Sequence, residues 1–185
     1  ADRARSGAPA QEELNAEGGE ALDKLTWAPQ EGAEVVIYHP TSGMVLTSTV
    51  SGKKLAGTAA TVEDDKLTVT DEMAKLTVTL EDEVYTFKNA DGKYLTSGAT
   101  GNSLLFADEE SDYSKWTVEE QTDGTWYIVS VNAVYNGNKQ AVEYYSGFTT
   151  YGVKENNAAY KFEFYGTSDP KPETPADPED PGEAE

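Results

Sequence analysis

Between Val35 and Tyr165 the chain alternates short apolar runs with polar turns. EVVIYH, MVLTS, KLTVT, KLTVTL, VYTF, KYLTS, KWTVE, WYIVSV and KFEFY are rich in β-branched and aromatic residues and too short for packed helices. Gly, Asn and Asp separate them, and no helical period carries from one run to the next. The pattern predicts an all-β domain.

The runs also repeat. VIYHPTSGMVLTS, residues 36–48, lies over YTFKNADGKYLTS, residues 85–97, without a gap. This frame aligns Tyr38 with Phe87, Gly43 with Gly92, and two Leu-Thr-Ser endings. A third copy opens as YIVSVN at Tyr127 and resumes as QAVEYY at Gln140, after extra residues around Asn136, Gly137 and Asn138. Each copy closes on a similar strand: AKLTVT at Ala74, SKWTVE at Ser114 and YKFEFY at Tyr160. One such unit exposes an apolar face that only its copies can cover, and closing copies around an axis removes the sheet edges. Propellers typically need four blades, so three copies predict a β-trefoil of three pseudo-repeats. The extra run KLTVT at Lys66 is not required by a trefoil repeat and keeps a β-sandwich as the alternative.

Residues 84–131, with Trp116 in the closing position, resemble the repeat of ricin-type and related β-trefoils. The core is also similar to a module repeated in large secreted enzymes and surface proteins of gut Clostridia, through TWYIVSVN, AVEYY, TTYG and KFEFY. The resemblance implies a lectin-like accessory module of a secreted or cell-surface Gram-positive protein. Ricin-type lectins carry a ligand-binding Asp just after the Leu of the second strand. Thr47 and Thr96 stand there in the first two units, and only the third has an acid, Glu143 after Val142.

The flanks differ in texture. Residues 1–32 are polar and read as a flexible segment, with a short helix available in QEELNAEGGEALDKL but interrupted by Gly18 and Gly19. Residues 33–167 form the trefoil-like domain. Residues 168–185 read as an acidic, Pro-rich linker to neighbouring domains of one parent chain. From Asp169 onward this linker holds five of the eight prolines and seven acids against Lys171 alone.

Charge and composition then narrow the chemistry. Lys and Arg number 14 against 34 Asp and Glu, a formal net charge of -20, so the basic stripe that nucleic acid requires is missing. Charge also disfavours an anionic membrane surface, and no apolar run approaches the roughly 18 residues of a membrane span. High like charge favours a monomer. With no cysteine, thiol nucleophiles and disulfides are excluded. His39 is the sole histidine, beside Pro40, with no positioned Ser and acid in view, and it reads as structural. The acids at Asp64–Asp65, 81–83 and 108–110 lie in apparent turns and read as solvated faces. Residues 107–112, ADEESD, offer clustered oxygens to calcium, but their spacing departs from an EF-hand loop. No enzyme, metal centre or cofactor is expected.

Binding has better support. From Trp126 to Tyr165 the chain carries seven of its eleven tyrosines. Tyr135, Tyr144, Tyr145, Phe148 and Tyr151 surround the inserted AVYNGN loop, with Asn136, Asn138, Gln140 and Glu143 among them. Aromatic faces stack on the C–H face of a sugar while amides and carboxylates meet its hydroxyls. The expectation is a carbohydrate-binding module whose partner is an oligo- or polysaccharide, with these nine residues as its site. A structural spacer or protein-docking module, with those rings buried as packing, is the competing reading.

Overall fold

The computed structural model describes residues 20–167, whose regular elements are strands and two single 3-10 turns. A first strand, β1 (Ala21–Lys24), precedes three units. The first unit comprises β2 (Glu34–His39), β3 (Met44–Ser51), β4 (Lys54–Ala59), the inserted β5 (Val62–Glu63) and β6 (Lys66–Thr68), and β7 (Leu76–Glu81). The second comprises β8 (Val84–Lys88), β9 (Tyr94–Ser97), β10 (Leu104–Ala107) and β11 (Trp116–Glu120). The third comprises β12 (Trp126–Tyr135), β13 (Asn138–Tyr144), β14 (Phe148–Gly152) and β15 (Glu163–Gly166).

First and last strands of the units close a six-stranded barrel. β2 pairs with β7, β7 with β8, β8 with β11 and β11 with β12. A bridge from Trp126 to Phe162 and the β15–β2 ladder complete the circle. The middle strands form three hairpins, β3–β4, β9–β10 and β13–β14, that cap one end. Closure satisfies the barrel strands on both sides and leaves no open sandwich. The architecture is a β-trefoil, as the repeats predict.

Leu76, Trp116 and Phe162 open the three closing segments and are fully buried. They share one core with Leu46, Leu95 and Val142 from the hairpins. Trp116 reaches furthest, and its indole N–H donates to Leu95 O at 3.0 Å.

One detail of the ungapped repeat alignment is corrected. Phe87 pairs with Val78 and belongs with Ile37, which pairs with Phe164, and with Ile128, which pairs with Val118. Tyr38 faces the other way and meets Tyr165 edge-on at 5.6 Å. The cause is turn length. Gly43 N donates to His39 O, whereas Gly92 N donates to Asn89 O, one residue less. With a period of two, that single residue flips every side chain before the turn.

The N-terminal expectation is corrected too. Residues 21–24 are not helical but form β1, paired with β15 and β6. Leu22 and Leu25 are buried, and extended backbone is what lets both meet apolar neighbours. Leu22 joins Leu67, Val69 and Met73 over Val36, Val45 and Tyr165 in a second small core on the outer face of the first unit. The KLTVT run at Lys66 thus belongs to a cover, not to a sandwich. The remainder of the N-terminal segment, residues 1–19, and the linker at 168–185 lie outside the described residues.

Candidate functional site

Strand alternation sorts the nine expected residues onto two faces. In the β13–β14 hairpin, Ala141 is opposite Tyr151 and Glu143 is opposite Thr149, so these four point to one side. Val142, Tyr144 and Phe148 point to the other, into the main core. The two faces have different fates.

On the outer side Asn138, Glu143 and Tyr151 line an open cleft of about 500 Å³ together with Gly152, Val153, Lys154 and Tyr160. Its backing is the small cluster of Tyr127, Val129, Ala141 and Tyr160. Tyr151 is 45% exposed and offers its ring. Tyr160 is held by its hydroxyl, which donates to Gly152 O at 2.8 Å. Burial, with help from Glu143, pushes that phenol up to about 12, so it stays protonated. Burial also raises the Glu143 carboxyl above the ordinary glutamate range, against the opposing pull of Lys54 and Lys154. Its Oε1 is enclosed and has no hydrogen-bond partner among the described residues.

The other six residues lie elsewhere. Phe148 is wholly buried. Tyr144 stacks on His39 at 5.1 Å and meets Phe148 edge-on at 5.0 Å, so both rings are packing. Gln140 is buried, donates to Asn138 O, and presses on the second unit, where a Cβ at Gly101 would lie 1.9 Å from its Oε1. Tyr145 is 70% exposed in the β13–β14 turn, with Lys54 Nζ over its ring at 5.1 Å. Tyr135 ends β12 and Asn136 begins the β12–β13 turn, where Asn136 and Gly137 both have positive φ, the pattern of a two-residue hairpin turn. None of these six lines the cleft.

Lys154 and Tyr160 complete the cleft and escape the sequence pattern. Tyr160 ends a 3-10 turn, Ala158–Tyr160, capped by the Asn157 side chain, which accepts from Ala159 N at 2.9 Å. The Asn156–Asn157 pair before a small-residue turn is the local signal for that cap.

The first two units lack an equivalent. Thr47 is buried, bridges Met73, and donates to Ala56 O at 2.7 Å beneath the added cover. Thr96 donates to Tyr94 O at 2.7 Å and is opposite Leu105.

His39 is structural. Its Nδ1 is 2.8 Å from Ser42 Oγ and its Nε2 2.9 Å from Ala158 O, which ties the first unit to the third. Since Ala158 O only accepts, Nε2 carries the proton and Nδ1 accepts from Ser42. Burial lowers the His39 pKa despite the Ala158 bond. Because the folded value is depressed, its contribution is complete above the ordinary value of 6.5 and lost as pH falls through the folded one. Thermal melts should therefore show His39→Asn less stable than wild type near neutrality, with the gap closing as the pH falls below 6.5. A constant gap would contradict this.

In the 107–112 stretch Asp108 is 3.6 Å from Lys93 and Asp112 is 3.8 Å from Lys115. Among the described residues no group of three or more His, Cys, Asp or Glu is placed to hold a metal ion.

The closed barrel and its triple-hairpin cap define a β-trefoil; the outer cleft of the third unit lies beside a second open cleft of about 490 Å³, lined by Glu119, Gln121, Tyr127, Asn156 and Lys161 among others, which holds none of the nine expected residues. Solved structures share that fold. SeviL, solved with an asialo-GM1 saccharide, superposes with a TM-score of 0.53 at 17% identity, covering 73% of this chain and 98% of its own. A β-trefoil named BEL gives 0.56 at 15% identity over 76% of this chain and 97% of its own. A GlcNAcα1-4Gal-releasing endo-β-galactosidase from Clostridium perfringens gives 0.56 at 15% identity; the match covers 74% of this chain and 33% of that enzyme. No known sequence family matches the chain, and no curated protein matches it in sequence.

Proposed function

We propose that this chain is a non-catalytic carbohydrate-binding module of a secreted or cell-surface multidomain protein, acting through the cleft of the third unit. The observation that carries the reading is Glu143: a half-buried carboxylate with an orphaned oxygen, in a cleft whose wall includes the exposed ring of Tyr151. The enclosed Oε1 is out of a ligand's reach, and it is the other carboxylate oxygen to which a ligand hydroxyl in the cleft would donate. Tyr151 offers the flat apolar surface that sugar C–H faces take, and Asn138 offers an amide at the rim. SeviL's saccharide complex lends support by analogy of fold. Glu143 is the one carboxylate lining the cleft, whereas paired-acid glycoside hydrolysis uses two. Weak binding of this kind serves by raising the local concentration of whatever the linker tethers.

A glycan array and insoluble-polysaccharide pull-down with residues 20–167 test the reading. Selective binding is expected, weakened about tenfold or more by Glu143→Ala and by Tyr151→Ala with the fold intact. Silence across plant, host and α-glucan ligands would instead favour a spacer or protein-docking module, to which the buried ring of Phe148 and the packed, partly buried ring of Tyr144 already conform.

A further inference from the structure

Thr149 is fully buried, yet its Oγ1 has no hydrogen-bond partner among the described residues. It lies directly across from Glu143 in the β13–β14 ladder, on the same face, where cross-strand Cβ atoms sit about 5 Å apart. Glu143 Oε1 is the second orphan. Two unsatisfied polar atoms of complementary character, a hydroxyl donor and a carboxylate acceptor, are therefore neighbours at the back of the cleft, unbonded to each other.

The scaffold does not demand this. The first unit satisfies Thr47 through Ala56 O, and the second places apolar Leu105 opposite Thr96. A buried hydroxyl left open only in the unit that has both the acid and the cleft calls for a role there. Full burial keeps Thr149 from touching a ligand itself. Its hydroxyl is, however, on the same face as the Glu143 side chain directly across the ladder, which makes that carboxylate its nearest cross-strand acceptor candidate.

We propose that Thr149 is the positioning residue of the cleft: it donates from behind to one oxygen of Glu143 while a ligand hydroxyl donates to the other. This rests on the carbohydrate-binding reading and adds a ligand requirement. The sugar must present a hydroxyl donor beside an apolar ring face, and Glu143 must be ionised to accept twice. The groups facing Glu143 are Lys54 from β4, Lys154 from the loop after β14, and the Tyr160 hydroxyl from the 3-10 turn. The two lysines favour the ionised form, and burial opposes it. A Thr149 bond would add to the lysines' side.

The test titrates methyl glycosides of galactose, glucose, mannose, N-acetylglucosamine, N-acetylgalactosamine and fucose into isotope-labelled wild type, Thr149→Val, Thr149→Ser and Glu143→Ala, followed by NMR across the acidic range. For any glycoside that wild type binds, Thr149→Val should bind roughly three- to tenfold more weakly. Its binding should also fade at higher pH on the acid side, because Glu143 loses a donor that lowers its pKa. Thr149→Ser should restore both, and Thr149→Val should melt no lower than wild type. Equal binding by Thr149→Val at every pH, while Glu143→Ala abolishes it, would remove the Thr149 role and leave the proposed function standing. A loss that Thr149→Ser does not restore would make Thr149 a packing residue only. Silence of wild type toward every glycoside would overturn both.

Discussion

Replacing Trp116 by Ala should destabilise the domain by about 3–5 kcal/mol, read as a shift of the urea midpoint at unchanged slope. Trp116 has no exposed surface, so the substitution opens a cavity in the main core at the seam of barrel and cap. It also strands Leu95 O, whose indole donor at 3.0 Å is lost, and an orphaned buried carbonyl carries its own cost. Against a total stability of roughly 5–15 kcal/mol, this is a large share. Trp116→Leu should cost less, because Leu76 fills the corresponding place in the first unit. A loss for Trp116→Ala below about 1 kcal/mol would show that the core re-closes around the gap, contrary to the packing described.

Phe148→Ala should cost a similar amount, about 3–5 kcal/mol, although the residue sits in the stretch that reads as a binding site. Its ring lies 5.0 Å from Tyr144 and 5.9 Å from Phe162. Gly57 lies close against it: a Cβ there would be 3.2 Å from the ring. Phe148 is also the residue through which β14 pairs with β4, joining two hairpins of the cap. For a domain of this size the loss should lower the melting temperature by roughly 10 °C. Tyr145→Ala, three residues earlier and 70% exposed, should stay within about 0.5 kcal/mol of wild type. A Phe148→Ala protein that melts like wild type but no longer binds glycan would put the ring at the ligand instead.

These two residues mark how far the sequence could be read. The Trp116 position was legible because it recurs as Leu76 and Phe162 at the start of three like segments, so a single environment is sampled three times. Leu46 and Leu95 were legible for the same reason, being locked to the glycine turns before them. Tyr38 was not, because one residue of turn length decides its face and an ungapped overlay conceals it. β1 was not, because four residues between polar neighbours carry too little periodicity, and its partners, β6 and β15, lie far along the chain. Within the third unit, composition pointed to the right hairpin but did not separate Glu143 and Tyr151 from Tyr144 and Phe148. That separation follows from the cross-strand register, which the AVYNGN insertion obscures. Tyr160 and Lys154 enter the cleft only through a capped turn that brings a later segment back over the hairpin.

The β1–β15 pair has a mechanical consequence. Asp23 is opposite Gly166 and Lys24 opposite Tyr165, in antiparallel register, so the chain enters and leaves the domain at the same end of one ladder. Force applied through the two flanking segments pulls this ladder apart rung by rung from that end, where shear along parallel strands would load every rung at once. The β15–β2 ladder and the Trp126–Phe162 bridge lie beyond the peeling front. Under such a force β1 is expected to yield first, together with its pairing to β6, while the barrel and the third-unit cleft keep their shape.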